Sequence, residues 1–224
     1  IIIDALAYNT YTTAYNTNMA ANECFLDSAT LRENVVALAR NIGYVPRSRR
    51  SARAKISFNV SGLTETSTLT LNSGIVCNGA GDNSNYIFCI PEDITVPVTN
   101  GFAEFTNIEI YEGVFISQNF TVDTSLFNQR YILDNSFIDT STIKVKVKSS
   151  STATSSVTYK QIDNIVGVTS TSNSYLLQEI EDERYELIFG DNVIGQKLSN
   201  NNVVTVSYIV TDGKDGNGAS EFSF

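Results

Sequence analysis

The sequence has no histidine and no tryptophan, and its 224 residues include only three cysteines, three prolines and one methionine. Histidine is the usual acid–base side chain near neutral pH and the commonest metal ligand. Without it the chain lacks the residue on which most neutral-pH catalytic sites and zinc sites depend. We therefore expect no enzyme activity, no cofactor and no metal.

The cysteines and the apolar runs exclude two further classes. Cys24, Cys77 and Cys89 are odd in number and lack the paired spacing of a zinc site. Cys77 and Cys89 could face each other across a hairpin, but buried free thiols are the favoured interpretation and fit a reducing compartment. No run approaches the roughly 18 apolar residues of a membrane helix, so no membrane span is predicted.

The net charge of −9 is unevenly distributed. Residues 1–55 carry seven basic and four acidic side chains, and the remaining residues carry eight basic and twenty acidic ones. The first part is thus +3 and the second −12. Such asymmetry indicates two surfaces with different partners.

Helical periodicity marks the N-terminal region over residues 4–42. Apolar side chains repeat on one helix face in two series, first Tyr8, Tyr11, Tyr15 and Met19, then Leu31, Val35, Leu38 and Ile42. Residues 27–30 interrupt the pattern, and Thr30 with Glu33 forms a candidate capping box for the second helix. Gly43 and Pro46 predict its end. We expect a helix-break-helix arm in which the second series is a buried seam.

The period changes to two after residue 54, as in half-buried strands. No helical pattern of comparable length follows, which favours antiparallel sandwich or barrel-like subdomains. The predicted strands are 56–60, 68–72, 86–90, 106–111, 114–122, 130–133, 143–147, 175–180, 185–189 and 203–210. The predicted fold is therefore mainly β with an N-terminal α-helical arm.

The segment 185–219 combines strands with glycine turns. The strand ending at Phe189 runs into Gly190 and Asp191, and Gly195 follows before the apolar strand 203–210. We predict a hairpin here, with Gly190 supplying positive φ and the second strand lying centrally in its sheet. Asp212 and the glycines after it leave a cation site open, although their spacing does not match a calcium loop.

Three segments, 31–58, 111–147 and 185–219, resemble a known family. The pattern F-G-D-x-x-x-G, a valine-rich strand and a glycine-asparagine-glycine stop is similar to the baseplate J-like family of contractile phage tails. Within that family the wedge proteins of T-even-like phages are the nearer match. The sequence departs from the pattern at Asn192 and at the added pair Lys214 and Asp215, which bears on turn geometry.

The resemblance implies a structural role. A wedge protein would form a ring around the tail hub and couple host contact to sheath contraction. The resemblance implies partners bound through a shared helix bundle, a homodimer repeated around a sixfold axis, and location in the virion baseplate after assembly in the host cytoplasm. The candidate interface is the arm, with Tyr8, Tyr11, Tyr15, Met19, Leu31, Val35, Leu38 and Ile42.

Other functions are weaker interpretations. A receptor-binding or adhesin-type β module is the alternative, and it would need exposed binding loops but no capped arm. The basic run from Arg47 to Lys55 could contact nucleic acid, but it lacks interleaved aromatics, so a protein-docking linker is favoured. The acidic residues 179–186 could supply a glycosidase pair, but nothing fixes two of them at a defined separation.

The pattern predicts three regions. Residues 1–45 form the helical arm, 46–118 a first β region, and 119–224 a second β region that contains the glycine turn. The chain begins without methionine and ends within a pattern, so we expect a fragment of a longer polypeptide.

Overall fold

The structure, a computed structural model, describes residues 2–41, 48–64, 66–81 and 84–224. The side chains of Arg40, Asn41 and Glu181 lie outside the description. The chain divides into two compact units. The first comprises residues 1–47 and 178–183, and the second comprises residues 48–177 and 184–224.

Two helices form most of the first unit, α1 (Ile2–Asn22) and α2 (Arg32–Asn41). The predicted helix-break-helix form is confirmed, with the break extended to residues 23–31. The predicted helix end at Gly43 and Pro46 lies outside the described residues, as does Ile42.

The start of α2 is capped by a residue that the sequence pattern did not indicate. One oxygen of Glu23, Oε1, accepts hydrogen bonds from the Thr30 amide at 2.9 Å and the Thr30 hydroxyl at 2.7 Å. Its other oxygen, Oε2, accepts from the Leu31 amide at 3.3 Å and from Asn34 Nδ2 at 2.8 Å. The predicted capping box is corrected, because the Thr30 hydroxyl donates to Glu23. The unpaired amides at a helix start can donate to any well-placed oxygen.

The buried face of α2 also differs from the predicted seam. Val36 and Ala39 are buried, whereas Leu31 is 58% exposed. Val35 and Leu38 are half-buried. Among the described members of the predicted series, Leu31, Val35 and Leu38, none is fully buried, and the buried row is instead formed by Val36 and Ala39 at i, i+3 spacing.

The second unit contains two seven-stranded sheets. The first has the order β14-β3-β4-β6-β5-β2, and β1 also pairs with β6. Its strands are β1 (Arg53–Ser61), β2 (Thr68–Leu71), β3 (Gly74–Gly81), β4 (Ser84–Ile90), β5 (Ile94–Thr99), β6 (Phe102–Glu112) and β14 (Glu221–Ser223).

The second sheet has the order β7-β13-β9-β10-β11-β12-β8. Strands β10 and β11 pair in parallel, whereas β10 with β9, β12 with β8, and β13 with both β7 and β9 pair antiparallel. Its strands are β7 (Val114–Thr121), β8 (Tyr131–Leu133), β9 (Ile138–Lys148), β10 (Val157–Gln161), β11 (Ser174–Glu179), β12 (Tyr185–Phe189) and β13 (Val203–Val210).

The mainly β fold with an N-terminal helical arm is confirmed. The strands β12 and β13 have the predicted bounds, and β13 lies centrally between β7 and β9. The sequence pattern did not indicate β3, β5, β10 or β14. Glycines break the pattern in β3, Pro97 interrupts β5, and β10 follows a serine- and threonine-rich segment.

The chain passes from the first sheet to the second at Gly113, whereas the predicted boundary between the two β regions lies at 118/119, within β7. Gly113 has φ of 129°, and a Cβ there would collide with the Val210 carbonyl oxygen. The Gly113 amide donates to the Ile87 oxygen at 2.9 Å, and the Glu112 amide donates to the Ala52 oxygen at 2.8 Å. Each sheet has its own apolar core, one around Phe88 and the other around Tyr208.

The Glu23 cap generates a prediction about acid stability. Its hydrogen bonds, that from Asn34 first, lower the pKa of the Glu23 carboxyl from 4.5 to about 2. Because the folded pKa is the lower one, the cap contributes fully above about pH 4.5. Its contribution is lost as the pH falls through about 2. In an NMR titration, the Thr30 and Leu31 amide shifts should follow this carboxyl.

The control for this titration is the residue of the predicted capping box. Glu23→Gln should remove the acid transition from the Thr30 amide and loosen the first turn of α2. Glu33→Gln should leave both unchanged. An unaltered Thr30 titration in Glu23→Gln would show that another group caps α2.

Candidate functional site

Helix α1 presents an apolar stripe that the described residues do not cover. None of its described residues is buried. In the predicted stripe, Tyr8 is 73% exposed, Tyr11 71%, Tyr15 56% and Met19 38%. The break after the helix adds Phe25 at 64% and Leu26 at 46%. Tyrosine combines a large apolar area with a polar tip, which is why protein interfaces are rich in it.

Three threonine hydroxyls of α1 are hydrogen-bonded within the helix. The hydroxyls of Thr10, Thr12 and Thr17 donate to the carbonyl oxygens four residues earlier, at 2.8–2.9 Å. Among the described residues of α1, only Asp4 has a charged side chain. Burial of this helix against another apolar surface would therefore desolvate few charges, and such burial is favourable.

The acidic residues 179–186 are distributed between separate ion pairs. In the first unit, Arg32 Nη2 lies 2.6 Å from Glu179 Oε1, and Arg32 Nε lies 3.5 Å from Glu183 Oε1. Burial raises the pKa of the Glu179 carboxyl, while the Arg32 charge opposes that rise. In the second unit, Arg130 binds both oxygens of Glu186, at 2.8 and 2.6 Å. Glu179 and Glu183 share one arginine and Glu186 is held by another, so each of these three acids has a structural explanation.

The turn at residues 190–195 is built by a close backbone approach and a capped loop. Asp191 Oδ1 accepts hydrogen bonds from the amides of Val193 and Ile194, both at 2.9 Å. These bonds lower the pKa of the Asp191 carboxyl. Gly195 has φ of 80°, whereas a Cβ on Gly190 would collide with the Gly195 carbonyl group. Gly190 is thus needed for space, and its predicted role of supplying positive φ belongs to Gly195.

This turn does not form the predicted hairpin. Strand β12 lies between β11 and β8, while β13 lies between β7 and β9, so the two strands are not neighbours. The turn is instead held by the loop before β11. The Gly195 amide donates to the Thr169 oxygen at 3.1 Å, and the Gln196 amide donates to the Ser172 oxygen at 2.9 Å. Nothing local in the sequence indicates that contact.

A groove with a volume of about 440 Å³ lies beside the turn. Gly190, Lys197 and the end of β12 line one part, and the loop between β7 and β8 lines another. This loop carries Phe127, which is fully exposed, and Leu126, which is 57% exposed. The strand and helix patterns of the sequence did not single out this pair. The available signal was two adjacent large apolar residues flanked by the polar residues Ser125 and Asn128.

The described part of the basic run, which leads into β1 of the first sheet, contacts residues in and just before β9 of the second sheet. The Ser51 amide donates to Asp139 Oδ2 at 2.9 Å, and Arg53 Nη2 donates to Ser141 Oγ at 2.9 Å. The Arg49 guanidinium lies 3.7 Å from the centre of the Phe137 ring, a cation–π contact. These contacts give the segment a docking role inside the second unit.

The described residues also bear on disulfide bonds, metal binding and membrane spans. All three cysteines are free, with Cys77 and Cys89 buried, which confirms the favoured interpretation of that pair. Among the described residues, no group of three or more His, Cys, Asp or Glu side chains is placed to hold a metal ion. No described helix has the length and apolar character required to cross a membrane.

The described chain is mainly β and carries a helix whose apolar stripe its described residues leave exposed. Over its whole length this chain is similar to Baseplate wedge protein gp6 of Enterobacteria phage T4. The two are 26% identical over 242 aligned residues, which cover 100% of this chain and 36% of that protein. No family model matches the chain. The chain thus spans little more than a third of the length of this distant relative.

The turn at Gly190 generates a prediction about stability. Gly190→Val should lower the free energy of unfolding by more than roughly 1 kcal/mol, because the added carbons collide with the backbone of Gly195. Asp191→Ala should lower it less, because the loop loses two hydrogen bonds while its packing persists. Thermal and urea unfolding of both variants would measure the order.

Val193→Ala is the matched control, because this side chain in the same turn is 73% exposed. It should leave stability close to that of the parent. Adding calcium or a chelator should not alter the order. A greater loss from Asp191→Ala, with calcium stabilising the parent, would instead identify the turn as a cation site.

Proposed function

We propose that this chain is part of a structural wedge component of a contractile phage tail baseplate. The observation that carries the proposal is the similarity to Baseplate wedge protein gp6, which extends over all of this chain. A chance match to a glycine-rich turn would be local, whereas this alignment includes the helical arm and both sheets.

The exposed arm supports assembly with other chains. Isolated helices are marginal in water, and most helices in proteins depend on packing of an apolar face. Helix α1 has 21 residues, and no described one is buried. Its tyrosine stripe therefore suits a helix bundle shared with other baseplate wedge proteins.

The higher-order arrangement follows from the same resemblance. The chain forms a homodimer, and dimers repeat around a sixfold axis to make a ring around the tail hub. Closed rings require complementary patches on each subunit. Rearrangement of the ring on host contact then releases the sheath to contract. The J-like family supplies this arrangement as an expectation only.

The proposed role is mechanical and involves no reaction. The chain acts in the virion baseplate, after assembly in the host cytoplasm, and needs no cofactor. The ion pairs of Arg32 and Arg130 support a structural interpretation of the acidic residues. A receptor-binding module is the alternative class, and a glycan array would distinguish it, since a wedge should bind no glycan.

The test changes Tyr8, Tyr11 and Tyr15 to serine together. These side chains are exposed, so the β unit should keep its circular dichroism spectrum and melting temperature. Removing three aromatic anchors should abolish assembly with wedge proteins or with a second copy, because aromatic residues dominate interface energies. Sedimentation velocity with purified wedge proteins would measure the loss.

A matched control uses the opposite face of the same helix. Thr10, Thr13 and Thr17 follow the same i, i+3, i+7 spacing but lie about half a turn away from the tyrosines. Changing these three to serine keeps their hydroxyls and should leave assembly intact. Normal assembly of the tyrosine variant would refute the helix-bundle interface.

A further inference from the structure

Four of the seven lysines of this chain lie on one face of the second sheet. In β9 three of them alternate with the buried residues Ile143, Val145 and Val147, so their side chains point away from the core. In the adjacent strand β10, buried Tyr159 pairs with Val145, and the next residue therefore lies on the lysine side. We call this group the lysine face, and its members are Lys144, Lys146, Lys148 and Lys160.

The four strands around the lysine face carry no exposed acid. Strands β7, β13, β9 and β10 contain one acidic residue, Asp139, and it is fully buried. Strand β13 places Thr205 and Ser207 next to two of the lysines. On β7, Asn119 accepts a hydrogen bond from the Thr205 hydroxyl at 2.7 Å. This surface is therefore polar and positively charged, although the chain as a whole carries −9.

Protection of a sheet edge does not explain these lysines. Lysine often blocks an exposed edge strand against pairing with another chain. Strand β9 is instead paired on both sides, with β13 and with β10. Its lysines lie within the sheet, where side chains stand out from the surface. Their charge is therefore directed at whatever lies across the face and not at a neighbouring strand.

Contacts within the chain show that the lysine face attracts carboxylates. Lys144 Nζ lies 3.2 Å from Glu92 Oε2, in the turn between β4 and β5. The pKa of the next carboxyl in that turn, Asp93, is lowered chiefly by hydrogen bonds from Ser73 and also by the charge of Lys146. One end of the face thus faces two acids of the same chain.

The other end of the lysine face has no such acids. Among the described residues, neither Lys148 nor Lys160 forms an ion pair. Charges of one sign gathered on one surface attract groups of the opposite sign. Alternate residues of a strand repeat at roughly 6.5–7 Å. An extended segment with carboxylates at alternate positions has the same repeat as the lysines of β9.

We infer that the lysine face binds an extended acidic segment of another protein, with aspartate or glutamate at alternate positions. Complementary charge of this kind sets the register and speeds the encounter of two proteins. A nucleic acid fits less well, because its continuous row of phosphates would run beyond the face onto the acidic remainder of the chain. The inference concerns the second unit alone and does not depend on the proposed helix bundle.

The test measures binding of a fluorescently labelled peptide of alternating glutamate and serine to the full chain, by anisotropy at low ionic strength. Lys146→Gln, Lys148→Gln and Lys160→Gln together should weaken binding by about tenfold, since each exposed charge pair contributes modestly. Added salt should weaken binding to the parent, because it screens exposed charges. A peptide of alternating lysine and serine should not bind.

The matched control is the triple variant Lys55→Gln, Lys197→Gln and Lys214→Gln, because these three exposed lysines lie outside the face. Each triple variant loses three positive charges, so both change the net charge from −9 to −12. The control should bind the acidic peptide with nearly the affinity of the parent. If the face variant does not fold, Lys160→Gln alone, at an exposed position, should still weaken binding by about twofold.

Equal weakening in the two triple variants would overturn the inference, because binding would then follow total charge. Failure of the parent to bind the acidic peptide at low ionic strength would overturn it as well. Tighter binding of single-stranded DNA than of the peptide would identify nucleic acid as the occupant, and self-association of the parent that the face variant abolishes would identify a second copy. The wedge proposal is tested through the helix stripe, so none of these results decides it.

Discussion

A close backbone approach at Gly113 is the constraint on which the β architecture depends. There the chain leaves β6 of the first sheet and enters β7 of the second, and the end of β13 lies so close that no Cβ fits. Around it the sheets share polar contacts. Thr211 Oγ1 donates to the buried Glu112 carboxylate at 2.6 Å, and burial raises the pKa of that carboxyl. Two sheets with separate cores thereby form one compact unit, which can present loops at fixed positions.

Several arginines of this chain bind partners within the chain, whereas several of its large apolar side chains are exposed. Arg32, Arg49, Arg53 and Arg130 each bind an acid, a hydroxyl or an aromatic ring of the same chain. By contrast, the tyrosines of α1 and the Phe127 loop remain exposed. Charges are costly to leave unpaired on burial, whereas apolar faces gain from it. These arginines are held by groups of the same chain, and the exposed apolar side chains are the surface on which the proposed assembly rests.

For the turn at residues 190–195, the local sequence indicated which residues form the turn but not which contacts hold it. Gly190, Asp191 and Gly195 were identified as a structural turn, and each has a structural contact. The predicted reason for glycine at position 190, a positive φ, was wrong. A side chain is excluded there because it would collide with the carbonyl group of Gly195. The predicted hairpin was also wrong, because β12 and β13 are consecutive in the sequence but do not pair in the sheet. The groove and the exposure of Phe127 were not predicted, because their positions depend on β8, a three-residue strand at a sheet edge.

Elements whose signals are local could be predicted from the sequence alone. These are the two helices and their break, the bounds of β12 and β13, and the exclusion of a histidine-based site. Periodicity and turn chemistry act over a few residues, so they survive without knowledge of the fold. The tertiary structure decided the sheet order, the Glu23 cap, the burial of Val36 instead of Leu31, and the exposure of Phe127. Each of these depends on contacts between residues brought together by folding, which no local pattern encodes.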